Sequence, residues 1–253
     1  MVQDDNASIQ MLKNYLGNLF PFKLQEDEHI CLFFAKEQVQ FNRFYRDFDS
    51  VIADIEKYKH THDVFICLGT VKGNESRTAD KINRRACIVF DFDFKDYAGN
   101  DDIKHYIYNK FKKAFPRLYS PYVVKSGNGV HIYCFTEPTT NVKQLAELNK
   151  EMAELMGADT KACLTTQVIR VPTTFNHKNG EKKRVIVFVD DTGKDSFKRD
   201  KLTKLKNMVK QSKPQEQRAE QVSHKVVDLT NHKKLKPCTE RMLTSEVVKG
   251  TLY

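Results

Sequence analysis

The run Ile88-Val89-Phe90-Asp91-Phe92-Asp93-Phe94 sets two carboxylates, one residue apart, inside an apolar stretch. Residues i and i+2 of a strand point to the same face. The pattern therefore predicts a strand with Phe90, Phe92 and Phe94 on one side and Asp91 and Asp93 on the other. The phenylalanine side needs a core, and the carboxylate side needs solvent or a cleft. Neighbouring like charges repel, and a divalent cation between them relieves the repulsion. Asp-x-Asp alone also occurs in ordinary turns, so a second signal is needed.

That signal is Lys125-Ser126-Gly127-Asn128-Gly129-Val130-His131-Ile132-Tyr133. Read blandly, it is an Asn-Gly hairpin with a cross-strand histidine. Read functionally, Ser126, the backbone at Gly127 and Gly129, and His131 converge on a phosphate. His131 would then contact a phosphate oxygen or assist proton transfer. A third segment, Gln167-Val168-Ile169-Arg170-Val171-Pro172-Thr173-Thr174-Phe175-Asn176-His177-Lys178, flanks a turn-prone, hydroxyl-rich stretch with two cations. Arg170 and Lys178 suit a triphosphate or a nucleic-acid backbone. Asp159 follows a strong helical pattern and is either a turn residue or the third carboxylate of a two-cation site. Asp190 and Asp191 at a strand end are its rivals.

Around these segments the periodicity predicts helices over 9–20, 48–58, 103–115, 142–156 and 196–209. Strands are expected over 30–34, 64–68, 86–94, 122–125, 130–135, 168–171 and 184–189. Residues 77–85 read as a polar, basic connector. The fold class is mixed α/β (α+β), two lobes around a cleft, over residues 1–210. Residues 211–235 turn to Gln, Lys, Glu and Ser and read as a linker. Residues 236–253 resume a weak helical pattern, the start of a C-terminal helical segment.

Composition narrows the class. Of the net charge of +9, residues 201–253 carry +7, with twelve Lys and Arg against five Asp and Glu. A uniformly basic, DNA-coating protein is not patterned this way; the tail is a solvated helix and linker or an added phosphate contact. Seventeen Phe within 40% apolar residues supply a core. No apolar run approaches the ~18 residues of a membrane span, and the acidic start lacks a signal-peptide pattern. A cytoplasmic protein without a membrane partner is expected. The six cysteines are scattered without a CxxC pair, which predicts buried thiols and no zinc site.

In order, Asp91-x-Asp93, Ser126-Gly127-x-Gly129-x-His131 and a later single Asp resemble the motif set of the archaeo-eukaryotic primase superfamily. Arg170-x-Pro172-x-x-x-Asn176-x-Lys178 is similar to a stretch of its plasmid and phage primase-polymerases, with Thr173 where glycine is usual. The resemblance spans roughly residues 60–190. It implies a two-lobed catalytic core with an RRM-like sheet carrying the carboxylates. It implies that Asp91, Asp93 and Asp159 hold two Mg²⁺ or Mn²⁺ ions, and that Ser126 and His131 contact the phosphates of an incoming NTP or dNTP. Lys125, Gly127, Gly129, Arg170 and Lys178 join the nucleotide site. Asn176, His177, Arg84 and Arg85 are candidates for nucleic-acid contact, the last two equally readable as solvated strand-edge residues; Arg77 is a further candidate cation. The implied activity is template-directed synthesis or extension of primers on single-stranded DNA, with a helicase as a possible associate. A metal-dependent nuclease and a non-enzymatic replication or strand-binding module are the rivals.

Overall fold

The carboxylate-bearing strand is longer than its apolar run, and in the computed structural model the rest of the chain is arranged around it. The structure describes residues 2–97, 102–118, 122–195 and 197–212. The elements in chain order are α1 (Val2–Leu19), β1 (Glu28–Lys36), β2 (Val39–Tyr45), α2 (Phe48–Tyr58), β3 (Asp63–Cys67), β4 (Gly69–Lys72), β5 (Ile82–Asp93), α3 (Ile103–Ala114), β6 (Tyr122–Lys125), β7 (Gly129–Thr139), α4 (Val142–Met156), β8 (Val168–Arg170), β9 (Phe175–Asn176), β10 (Lys183–Arg184), β11 (Ile186–Asp190) and α5 (Leu202–Ser212). Contacts divide the chain into residues 1–209 and 210–253. Of the expected linker only Gln211 and Ser212 are described, and they close α5. The remainder, with the helical segment expected over 236–253, lies outside the described residues.

Nine strands form one sheet in the order β11-β6-β7-β5-β4-β1-β3-β8, with β2 on the other edge of β1. Every pairing between these strands is antiparallel. β3 and β4 run in turn along β1, Leu32 facing Ile66 and His29 facing Val71, and the register slips across Leu68. Beyond them, β8 lies on β3 and β5 lies on β4. The sheet therefore has two halves, and β5 and β8 diverge where they meet.

Alternation divides the sheet's residues between two cores. Ile88, Phe90 and Phe92 join Val123, Ile132 and Cys134 against α3, α4 and α5. Cys87 and Val89 join Tyr133, Phe135, Tyr122 and Val124 against α1 and α2. On that second face the strand pairs Cys87–Phe135 and Val89–Tyr133 are followed by Asp91–His131 and Asp93–Gly129. One face thus passes from apolar core to polar site along two paired strands.

The helices are sealed by local chemistry. Asp47 caps α2 through Ser50 N–H at 2.7 Å, and Val51, Ile52 and Ile55 bury one stripe. Asn141 caps α4, whose far end stops at Gly157 in the left-handed conformation, φ +67°.

Several expectations are corrected. β2 and β4 were not anticipated. Residues 82–85, expected in a basic connector, open β5. The last described helix starts at Leu202 instead of 196, because Asp200 accepts from Glu137 N–H at 2.9 Å and donates to Phe135 O at 3.0 Å, a backbone pairing with β7 that a helix through Asp200 would break. β5 ends at Asp93, and Phe94–Tyr97 form a 3₁₀ turn.

Candidate active site

Where β5 and β8 diverge, a cavity of about 230 Å³ opens. Asp91, Asp93, Ser126, Gly129, His131, Asp159, Arg170, Asn176 and Lys178 all line it. These residues come from four separate parts of the chain, and each is delivered by an identifiable device.

Strand pairing sets His131 opposite Asp91, with Nε2 3.6 Å from Oδ1. The Gly157 cap turns the chain back from α4, and Asp159 then donates its backbone N–H to Asp91 O at 2.8 Å. The Asp159 side chain accepts from Lys161 N–H at 2.8 Å. Asp93 pairs with Lys95 at 3.2 Å. Among the described residues, no three His, Cys, Asp or Glu side chains are drawn together closely enough to hold a metal ion as they stand.

The hairpin is fixed by its glycines. A Cβ on Gly129 would lie 2.4 Å from Phe92 O, so only glycine lets β7 start this close to β5. Gly127 has φ +95°, and its added Cβ would meet Asn176 Cβ at 2.9 Å. Asn176 Nδ2 donates to Ser126 O at 2.9 Å, its Oδ1 accepts from Lys178 N–H at 3.0 Å, and Lys183 Nζ donates to Asn128 Oδ1 at 2.8 Å. Asn176 is 4% exposed and braces the hairpin against the segment that carries Lys178. The glycines thus meet a packing requirement of the hairpin itself.

Arg170 sits opposite Phe65 in the β3–β8 pair, its guanidinium 4.6 Å above that ring. It is anchored by Asp63 at 2.7 Å, and Asp63 Oδ1 also accepts from His177 N–H at 2.8 Å. Thr173, standing where the resembling stretch has glycine, has φ +71°. The position demands a left-handed backbone, and threonine meets it under strain, its buried Oγ1 without a hydrogen-bond partner among the described residues.

The electrostatics follow from this packing. Burial, reinforced by the charges of Asp159 and Asp93 and opposed by Arg170, pushes the Asp91 carboxyl up to about 7. Burial and the Arg170 charge hold the His131 imidazole down to about 3. His131 is therefore neutral at physiological pH, and its buried Nδ1 has no partner among the described residues.

Some expected residues are not brought to the cavity. Lys125 pairs with Val130 and so lies on the opposite side of the sheet from His131. Arg84 pairs with Glu28, donates to Lys23 O at 2.8 Å and packs 4.0 Å above Phe22. Arg85 is fully buried, with Nε donating to Cys87 O at 2.7 Å. Arg77 donates to Thr166 O and lies over Phe33. His177 lines an adjoining cavity. Phe65, Asn128 and Gln167 line the pocket without having been singled out. Asn128 and Gln167 lie within the motif strings. Phe65 and Asp63 become visible only when an unpaired Arg170 is asked where its partner is.

The described cysteines, Cys31, Cys67, Cys87, Cys134 and Cys163, are buried free thiols. No described helix is long and apolar enough to cross a membrane.

No family model and no curated protein matches this chain. Solved structures do. The AEP domain (PP-N190) of the cyanophage S-2L primase-polymerase aligns with TM-score 0.54 and 13% identity, over 77% of this chain and 95% of its own. Primase RepB' aligns with TM-score 0.56 and 14% identity, over 89% and 68%. The catalytic domain of primase Repb' in complex with initiator DNA aligns with TM-score 0.55 and 14% identity, over 85% and 97%. The chain has the fold of these primase domains.

Proposed function

We propose that this primase-fold chain is a nucleotidyl transferase that makes or extends primers on a single-stranded DNA template. The observation carrying the reading is the single cavity lined by three carboxylates, the Ser126–His131 hairpin, Arg170 and Lys178.

The donor set fits a hard divalent cation, Mg²⁺ or Mn²⁺, because it offers carboxylate oxygens and no thiolate. The Asp91 carboxyl, raised first by burial and then by the charges of Asp159 and Asp93, is one that a bound cation would help to ionise. Asp91, Asp93 and Asp159 are the residues that would hold such ions, with Asp93 released from Lys95. When bound, two ions would lower the pKa of an attacking 3′-hydroxyl and stabilise the leaving pyrophosphate.

The remaining groups act on the nucleoside triphosphate. Arg170, held by Asp63, presents a guanidinium to the phosphates. Lys178 adds a second positive charge at the rim. Neutral His131 offers an N–H donor, which orients a phosphate oxygen without adding charge. Ser126 and the hairpin, locked by Asn176, fix that geometry before substrate arrives.

The test is a denaturing gel of products from single-stranded DNA, labelled nucleotides and Mg²⁺ or Mn²⁺, with and without a primer. Metal-dependent products are expected from the wild type and none from folded Asp91→Ala/Asp93→Ala. Undiminished synthesis by the double variant would sink the mechanism.

A further inference from the structure

Next to the candidate active site lies a second cavity of about 490 Å³, and Lys178 lines both. Its other walls include Lys36 at the end of β1, Glu37, His177, Lys182, Asp63 and Glu181. Of the three carboxylates in the wall, Asp63 holds Arg170 and Glu181 pairs with Lys183 at 2.6 Å, which leaves Glu37 against three lysines. Lys36 and Lys178 are exposed and have no carboxylate partner among the described residues. Lys182 lies 3.4 Å from His60 Nδ1 and 4.4 Å above the Phe175 ring, against which the His60 ring also packs at 5.2 Å. The local field is positive. After burial, the charges of Lys182 and Lys59 depress the His60 pKa, and those of Lys36 and His177 depress that of His62.

We infer that this second cavity binds the backbone phosphates of the single-stranded template where the strand runs past the active site. The assignment rests on the primer-synthesis reading for the word template and on the cavity itself for the phosphate. The architecture favours a strand over a free triphosphate. Its three lysines are spread over two segments, Lys36 at the end of β1 and Lys178 and Lys182 between β9 and β10, on long flexible stems. No arginine fork and no tight glycine cradle converges on one point, and Gly180 at its wall faces open space. Lysine point charges spread along a groove suit successive phosphodiesters, while a triphosphate calls for a compact cage.

The test uses the full chain and a short fluorescein-labelled oligothymidylate, with anisotropy read against salt in the absence of metal and nucleotide. Lys36→Ala/Lys182→Ala changes two exposed side chains and leaves Lys178 and the catalytic pocket intact. Strand affinity is expected to fall about tenfold near ~0.1 M salt, and the slope of log affinity against log salt to flatten by about 1.4. Lys36→Arg/Lys182→Arg is expected to restore both. Binding of a fluorescent ATP analogue is expected to stay unchanged. Equal strand affinity and slope in the alanine variant overturn the inference. Weaker analogue binding with intact strand binding overturns it too, by reassigning the cavity to a triphosphate. Strand binding is measured without synthesis, so a wild type that makes no product would defeat the primer reading and leave this test standing.

Discussion

Asp159 donates its backbone N–H to the carbonyl of Asp91 across 2.8 Å, so two carboxylate residues 68 positions apart in the sequence are joined through main chain. The Asp159 charge is thereby kept near enough to act on the Asp91 carboxyl. Ionising Asp91 is opposed by burial first and by Asp159 and Asp93 next.

The pH dependence of the metal-free protein follows. An acid whose folded pKa is raised loses stability as pH climbs from its unfolded value to the folded one. For Asp91 that window runs from 3.8 to about 7. In EDTA, Asp91→Asn is expected to match the wild type near the bottom of the window. It should gain about 2 kcal/mol by the top, and hold that gain above it. Urea melts across the window check this. His131 works oppositely, since its imidazole is held near 3 and its contribution is lost as pH falls below 6.5; comparing the two proteins at each pH isolates Asp91.

Thr173→Gly is expected to raise stability by about 1 kcal/mol. It relieves a left-handed threonine and removes a buried, unpartnered hydroxyl, offset by the added freedom of glycine in the unfolded chain. A higher urea midpoint at constant slope is the readout.

Gly129→Ala is expected to destabilise by at least about 2 kcal/mol, because the new methyl lies 2.4 Å from Phe92 O and the β5–β7 pair must open. Synthesis should fall further than the folded fraction does, since Asp93 and the hairpin shift with the strand ends.

Arg85→Ala is expected to cost about 2–4 kcal/mol, from a cavity and from carbonyls at Cys87 and Leu164 losing their donor. Strand affinity of the folded variant should be unchanged. A specific loss of DNA binding at full stability would return Arg85 to the nucleic-acid surface.

The legible part of the sequence was the part governed by short periods. Phe90 and Phe92 against Asp91 and Asp93 is a period of two, and it named the central strand and its polar face. The glycines of the hairpin were equally plain, although their reason is a carbonyl and an asparagine nearby. Arg84 and Arg85 read as surface cations because their partners, Glu28 and the Leu164 carbonyl, lie far away in sequence. β2 and β4 escaped notice because one mixes polar and aromatic residues and the other spans only Gly69–Lys72. Asp159 could be preferred over Asp190 and Asp191 only through the resemblance. Glycine past the helix end announces the turn at Gly157, but the hydrogen bond that turn makes to Asp91 joins distant segments and no local pattern shows it.

The slip at Leu68 has a further meaning. In an unbroken ladder, the end of β5 would continue alongside β3, and Asp91 and Asp93 would face a neighbouring backbone. That edge of β3 is instead held by β8 through Phe65–Arg170. Two strands compete for one edge, the bend lets both stay, and the cavity is the gap left between them. Its width is thus a matter of register, and a single insertion or deletion beside Leu68 would resize the site without touching any residue that lines it.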